Sequence, residues 1–239
     1  MRVPNPESIL FIDIETVPEF ERFNHLPLAT QELWVQKVHY QISEEKSAED
    51  LYNEKAGVMA EFSKIVCASV AYLSLSGSGY SIKIKSFYGD DEAVILSDLS
   101  PVLSTIGKGN LNFLCAHNGL EFDYPFLARR YLIKQIELPE CLDLAGKKPW
   151  EIPHLDTMVL WKFGDRKAYT SLNLLSHIFG IPSPKDDISG AEVKGVYYQE
   201  KDCLRIAKYC EKDVLTLAKV YLKFCVSPLN INEISSELP

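Results

Sequence analysis

The chain has 239 residues, 46% of them hydrophobic and 24% charged, a balance that suits a globular α/β chain and excludes a disordered one. With 25 Lys and Arg against 33 Asp and Glu, the net charge is -8. That excludes a broadly basic sheath gripping duplex nucleic acid, but not a local site whose carboxylates are neutralised by metal.

The first apolar run, Ile9-Leu10-Phe11-Ile12-Asp13-Ile14-Glu15 before Pro18, predicts a buried strand. Residues 19–60 are polar and acidic, with Leu33, Val38, Leu51 and Val58 at helical spacing, and predict a helical surface insertion. Residues 1–60 carry 5 Lys and Arg against 11 Asp and Glu, so most of the acid excess sits there. Two strands follow at 65–73 and 80–88, joined by a Ser/Gly turn at 76–79. A helix over 90–103 is capped by Asp90 or Asp91. Residues 111–116 are a strand, and 124–133 a helix whose start is marked by Pro125. A Pro- and Lys-containing loop covers 137–153, and 154–161 is mixed. Residues 171–179 are a helix closed by Gly180 and Pro182, 182–195 a polar loop, and 201–224 the last long helix. The tail at 228–239 is loose, and the whole chain, 1–239, is read as a single domain.

The six cysteines form no CxxC pair, and four sit in apolar runs, which predicts reduced thiols in a cytoplasmic protein. No signal pattern begins the chain, and no apolar run approaches the length of a membrane span.

Asp13 and Glu15 are two apart in a strand, so both carboxylates point to one face near its C-terminal end. Two acids this close repel unless a cation lies between them. Asp123, taken alone, reads as an ordinary helix cap, and Asn118 as ordinary turn chemistry. Tyr209 and Asp213 are i and i+4 on the last helix and stack on one face. They lie on the border between the apolar face of Cys203, Ile206, Cys210, Val214 and Leu217 and the basic stripe of Lys201, Arg205, Lys208 and Lys212. That stripe reads as a solvated face.

Together the three stretches, FIDIETVP, NGLEFD and YCEKD, form the ordered signature D-x-E, N-x3-F-D and Y-x3-D. This resembles the tyrosine-bearing DEDDy branch of the DEDD superfamily of 3′→5′ exonucleases. Within it the resemblance is closest to predicted bacterial exonucleases related to the proofreading domain of family B DNA polymerases. HLDTM at 154–158, SLNLLSHIFGIPSPKDDISGAEV at 171–193 and YCEKDVLTLAKVYL at 209–222 agree with that group. The segments 19–60 and 137–153 match nothing in it.

The resemblance implies an α/β, ribonuclease-H-like fold: a mixed five-stranded sheet flanked by helices. It implies that Asp13, Glu15, Asp123 and Asp213 bind two divalent cations, Mg²⁺ or Mn²⁺, and that Tyr209 positions the attacking water. A pair of divalent cations suits phosphodiester hydrolysis, and carboxylate oxygens suit both metals. No His/Cys cluster in the sequence favours zinc. With an ordinary pKa near 10, a tyrosine is a poor base at neutral pH.

Thr16, Asn118, Phe122 and Lys185 are assigned to substrate contact, and Asp156 to support of the metal-binding acids. Phe122, Tyr124 and Phe126 flank Asp123 and offer stacking surfaces, though such aromatics are more often core. Arg129 and Arg130 offer phosphate contacts; by default they are a solvated helix end.

The expected activity is 3′→5′ hydrolysis of single-stranded ends, DNA preferred, releasing nucleoside monophosphates. The alternatives are an RNA-trimming exoribonuclease and a catalytically silent ribonuclease-H-like module that binds nucleic acid or protein. No short motif reads a 2′-hydroxyl. The fold uses up the chain, so no polymerase domain is expected in it; a polymerase or repair partner in trans stays open.

Overall fold

Alternating apolar residues on β1 (Ile9–Pro18) bury both faces of this strand and make it the centre of the molecule. The computed structural model describes residues 3–77, 79–165, 167, 169–182 and 188–225. After β1 come α1 (Leu28–Val38), α2 (Ala48–Lys55), β2 (Ser63–Ser76), β3 (Gly79–Tyr88) and α3 (Glu92–Leu103). Then follow β4 (Phe113–Ala116), α4 (Asp123–Ile133), β5 (Leu155–Asp156), α5 (Thr157–Lys162) and α6 (Leu172–Ile178). A short α7 (Val193–Gly195) and a π-helical turn (Val196–Glu200) lead into α8 (Cys203–Phe224).

The sheet has five strands in the order β3-β2-β1-β4-β5. β1 pairs antiparallel with β2 and parallel with β4; β2 and β3 are antiparallel, and β4 and β5 parallel. The mixed sheet flanked by helices is the architecture the resemblance implies.

Period two along β1 divides the core. Leu10, Ile12 and Ile14 pack with Ile95, Leu96 and Leu99 of α3 and with Tyr124, Leu127 and Tyr131 of α4. Ile9 and Phe11 pack on the other face against Val214, Leu217 and Tyr221 of α8. Asp13 and Glu15 share the parity of Ile9 and Phe11, so they meet α8.

Segment 19–60 contains α1 and α2, which close over a small cluster of Trp34, Val38, Leu51, Tyr52 and Phe62. Trp34 Nε1 donates to Ala48 O at 2.8 Å, and Tyr52 Oη donates to Phe20 O at 3.0 Å. Of the apolar residues expected to mark these helices, Val38 and Leu51 are buried, whereas Leu33 and Val58 are exposed. Trp34, one position on, faces the cluster instead, and its indole N–H is satisfied there by a backbone carbonyl.

Local boundaries differ in small ways. Asp91 is the cap of α3 and accepts from Ala93 N at 2.9 Å. The mixed stretch after His154 resolves into β5 and α5. The end of the expected loop 182–195 is helical, since Val193 and Val196 bury against Ile206 and Cys210 of α8. Within that stretch, residues 183–187 lie outside the described residues, as does the tail from 226. Among the described residues, no helix is long and apolar enough to cross a membrane. All six cysteines are free.

Candidate active site

Three elements bring the acids together. β1 carries Asp13 and Glu15 toward α8, where the Cys210 thiol donates to Asp13 Oδ2 at 3.3 Å and to Asp13 O at 3.4 Å. One ligand-capable atom from each of Asp13, Glu15 and Cys210 lies within 4.8 Å of the others. Asp123 opens α4 at its first residue; Phe122 stands at the cap position and makes no side-chain cap bond. The cap reading of Asp123 therefore does not hold. Asp123 is buried at 3% exposure, and backbone hydrogen bonding at Ile14 of β1 reaches its carboxylate.

The electrostatics join these acids to Asp213. Burial first, then the charges of Asp123 and Asp213, hold the Asp13 carboxyl well above the usual carboxylate range. Glu15 is raised by burial and by Asp13 and Asp213. Burial, then Asp156, pushes Asp123 up to about 7, against backbone hydrogen bonds that pull it down. Tyr209 hydrogen-bonds to Asp213, and burial together with Asp213 and Glu15 pushes the phenol well above its usual value. Electrostatic interactions thus link Asp13, Glu15, Asp123, Asp213 and Tyr209.

Asp156 holds the loop that precedes Asp123. Its carboxylate accepts from Asn118 N at 3.0 Å and Leu120 N at 3.1 Å, and from Met158 N at 2.9 Å at the start of α5. Asn118 adopts φ 65°, a left-handed turn that asparagine tolerates. At the next position a Cβ would come within 2.5 Å of Ala116 Cβ, so only glycine fits at Gly119. His117 is fixed on both sides, Nδ1 to Thr157 Oγ1 at 2.9 Å and Nε2 to Thr170 O at 2.9 Å. Burial holds its imidazole below the usual histidine range.

The residues assigned to substrate are dispersed in role. Thr16 Oγ1 donates to Gly57 O at 2.6 Å and so ties β1 to the end of the 19–60 segment. Phe122 is half-buried, its ring 5.2 Å from Phe126. Tyr124 and Phe126 are core residues. Lys185 lies outside the described residues. Arg130 is buried and ion-paired with Glu92, so it is neither a solvated helix end nor a phosphate contact. Sequence reasoning also missed Cys210, because a cysteine on an apolar helix face looks like any core thiol.

The donor set fits divalent metal. The carboxylates supply hard oxygen, and burial and neighbouring charges both oppose ionisation of Asp13, Glu15 and Asp123, a conflict that a cation relieves. The Cys210 thiol is pushed up by burial, so it acts here as a proton donor to Asp13.

A family model described as a predicted 3′-5′ exonuclease related to the exonuclease domain of PolB matches residues 58–237. The matched span holds Asp123, Tyr209 and Asp213; Asp13 and Glu15 precede it. Among solved structures, the family B DNA polymerase from the hyperthermophilic archaeon Pyrobaculum calidifontis is similar, with a TM-score of 0.53 and 16% identity. The likeness covers 94% of this chain and 26% of the polymerase, so the chain spans about a quarter of its length. Among curated proteins, none matches.

Proposed function

The chain belongs to the family of predicted 3′-5′ exonucleases related to the exonuclease domain of PolB, and on that premise we propose that it is a metal-dependent hydrolase of single-stranded 3′ ends. The observation that carries the proposal is the convergence of Asp13, Glu15, Asp123 and Asp213, with Tyr209 hydrogen-bonded to the last of them. A module that only binds would gain nothing from crowded carboxylates that raise one another's pKa.

In this reading the four acids hold two divalent cations, Mg²⁺ or Mn²⁺. Bound there, the cations would neutralise phosphoryl charge and lower the pKa of water. Water would lose a proton to solvent as its oxygen bonds to phosphorus, the bond to the 3′ oxygen would break, and that oxygen would take up a proton, a net addition of one water across the bond. Tyr209 stays protonated at neutral pH, because its environment raises the phenol. It is therefore a hydrogen-bonding group that orients water and not a general base. Asp156 keeps the Asn118–Leu120 backbone in place ahead of Asp123. The product is a nucleoside monophosphate, with DNA the preferred strand and a polymerase or repair protein in trans a fitting partner.

The test is a 5′-labelled single-stranded oligonucleotide, DNA beside RNA, with and without Mn²⁺. A descending ladder that chelator abolishes supports the reading. Cleavage of closed circular strands, or a ladder that survives thorough chelation, defeats it.

A further inference from the structure

The β1–β2 ladder is irregular at the site itself. Glu15 pairs with Cys67 and Thr16 with Ile65, so Val66 is the extra residue of a bulge opposite Glu15. Beside the bulge β2 runs past the end of its ladder with β3, and two of its backbone groups there have partners outside that ladder. Val66 O accepts from Gly89 N at 3.1 Å, and Ile65 N donates to Glu92 Oε1 at 2.8 Å.

Glu92 is itself held. It is 2% exposed, as is Arg130. Arg130 Nε donates to Glu92 Oε1 at 2.8 Å, and Nη2 to Oε2 at 2.5 Å. Lys134 Nζ stands 3.3 Å from the same carboxylate. Arg130 Nη1 donates to Ala60 O at 2.7 Å, and Nη2 reaches Glu19 Oε2 at 3.4 Å, just past the end of β1. Arg130 follows Asp123 by seven residues in α4, two turns on, so both lie on one face of that helix.

We propose that the buried Glu92–Arg130 pair is a positioning device for the acidic site. It sets the bulge opposite Glu15 and ties it to the helix that carries Asp123. Stability alone does not account for the pair, since well-packed apolar residues replace buried ion pairs at little or no cost. The distinctive feature is the carboxylate oxygen that receives the N–H of Ile65, the residue next to the bulge. The inference rests on the metal-dependent reading above, because its readout is the affinity of the acids for a cation.

Two double variants of the full chain separate the roles. Glu92→Gln/Arg130→Met deletes both buried charges yet keeps an oxygen acceptor for Ile65 N. Glu92→Leu/Arg130→Met deletes both charges and the acceptor. Calorimetric titration with Mn²⁺ alone is expected to give the first variant, which loses only the tie to α4, about 10-fold weaker binding, and the second, which also loses the acceptor, up to about 100-fold weaker binding, the range for partners behind metal ligands. Amide exchange at Ile65 is expected to quicken only in the second. Should the second fail to fold, Arg130→Lys takes its place. It keeps a cation but loses the fork that grips Glu92 and Ala60 O together, and about 10-fold weaker binding is expected. Wild-type affinity in Glu92→Leu/Arg130→Met, or in Arg130→Lys where that stands in, overturns the positioning role while leaving the function reading intact. A wild-type chain that binds no Mn²⁺ overturns both.

Discussion

Cys210 Sγ lies 3.3 Å from Asp13 Oδ2, so the residue that seats α8 on the sheet also touches the first acid of the site. Docking of the long helix and placement of the carboxylate are thus one event. The thiol is buried, and burial raises its pKa. Thiolate is the reactive form, so native Cys210 is expected to resist alkylation by iodoacetamide near neutral pH and to react once the chain is unfolded. Mass spectrometry of the native protein checks this. Rapid modification of Cys210 in the folded chain would contradict the buried, protonated thiol.

Relief of repulsion gives a second expectation. Asp13, Glu15 and Asp123 all have folded-state pKa values raised above those of the unfolded chain. Their contribution to stability is full below the unfolded values near 4 and is lost as pH rises through the folded ones, about 7 for Asp123. Metal-free protein therefore loses stability from these groups between weakly acidic and neutral pH. Asp13→Asn is expected to abolish turnover, weaken Mn²⁺ binding and raise the metal-free Tm at neutral pH. Each kcal/mol of relief moves Tm by about 2–4 °C in a chain of this size. A lower Tm for Asp13→Asn, measured in chelator at pH 7.5, would show that the carboxylate is structural.

The site and the sheet were legible in unequal measure. Alternation in the run from Ile9 to Glu15 was enough to place a buried strand with two acids on one face, because period two is a local property. Tyr209 and Asp213 were legible for the same reason, at helical spacing. Asp123 was not legible alone: its sequence neighbourhood is that of a cap, and only packing of α4 on β1 turns it inward. Arg130 misled, since its partner Glu92 lies 38 positions away and no periodicity connects them. Cys210 was hidden among other apolar-face residues. Asp156 was assigned to support of the acids, but its four backbone donors come from two separate segments that only the fold assembles.

Buried histidine gives an acid-side expectation. His154 Nδ1 accepts from Leu114 N at 3.2 Å, and Nε2 meets Cys141 O at 2.6 Å, which fixes a neutral ring with the proton on Nε2. Burial lowers its pKa below the usual 6.5. Here the folded value is depressed, so the unfolded chain binds more protons below pH 6.5 and stability falls as pH drops. His154→Gln should be less stable than wild type at pH 8. The gap should narrow below pH 6.5, by at most about 1.4 kcal/mol per pH unit. Urea unfolding of the two proteins across that range decides it; a gap independent of pH would mean that His154 is not held neutral.

Tyr209 separates water positioning from general-base catalysis. Its hydroxyl hydrogen-bonds to Asp213, and burial with the surrounding carboxylates pushes the phenol above its usual value. A phenol held protonated has no proton vacancy to offer water at neutral pH, so its contribution is orientation. Tyr209→Phe removes the hydroxyl and keeps the ring, and is expected to lower turnover by no more than about 10²–10⁴-fold, the span for one positioned proton-transfer group. Asp213→Asn weakens a metal ligand and is expected to be the more damaging change, with Mn²⁺ affinity lost as well. Tyr209→His places an imidazole, which accepts a proton near neutral pH, and is expected to keep part of the activity with a new acidic limb in its pH profile. Turnover of the three variants from pH 6 to 9, with Mn²⁺ binding measured beside it, distinguishes the roles. If Tyr209→Phe binds Mn²⁺ normally yet is as inactive as Asp213→Asn, the hydroxyl takes part in the chemistry and orientation alone is the wrong account.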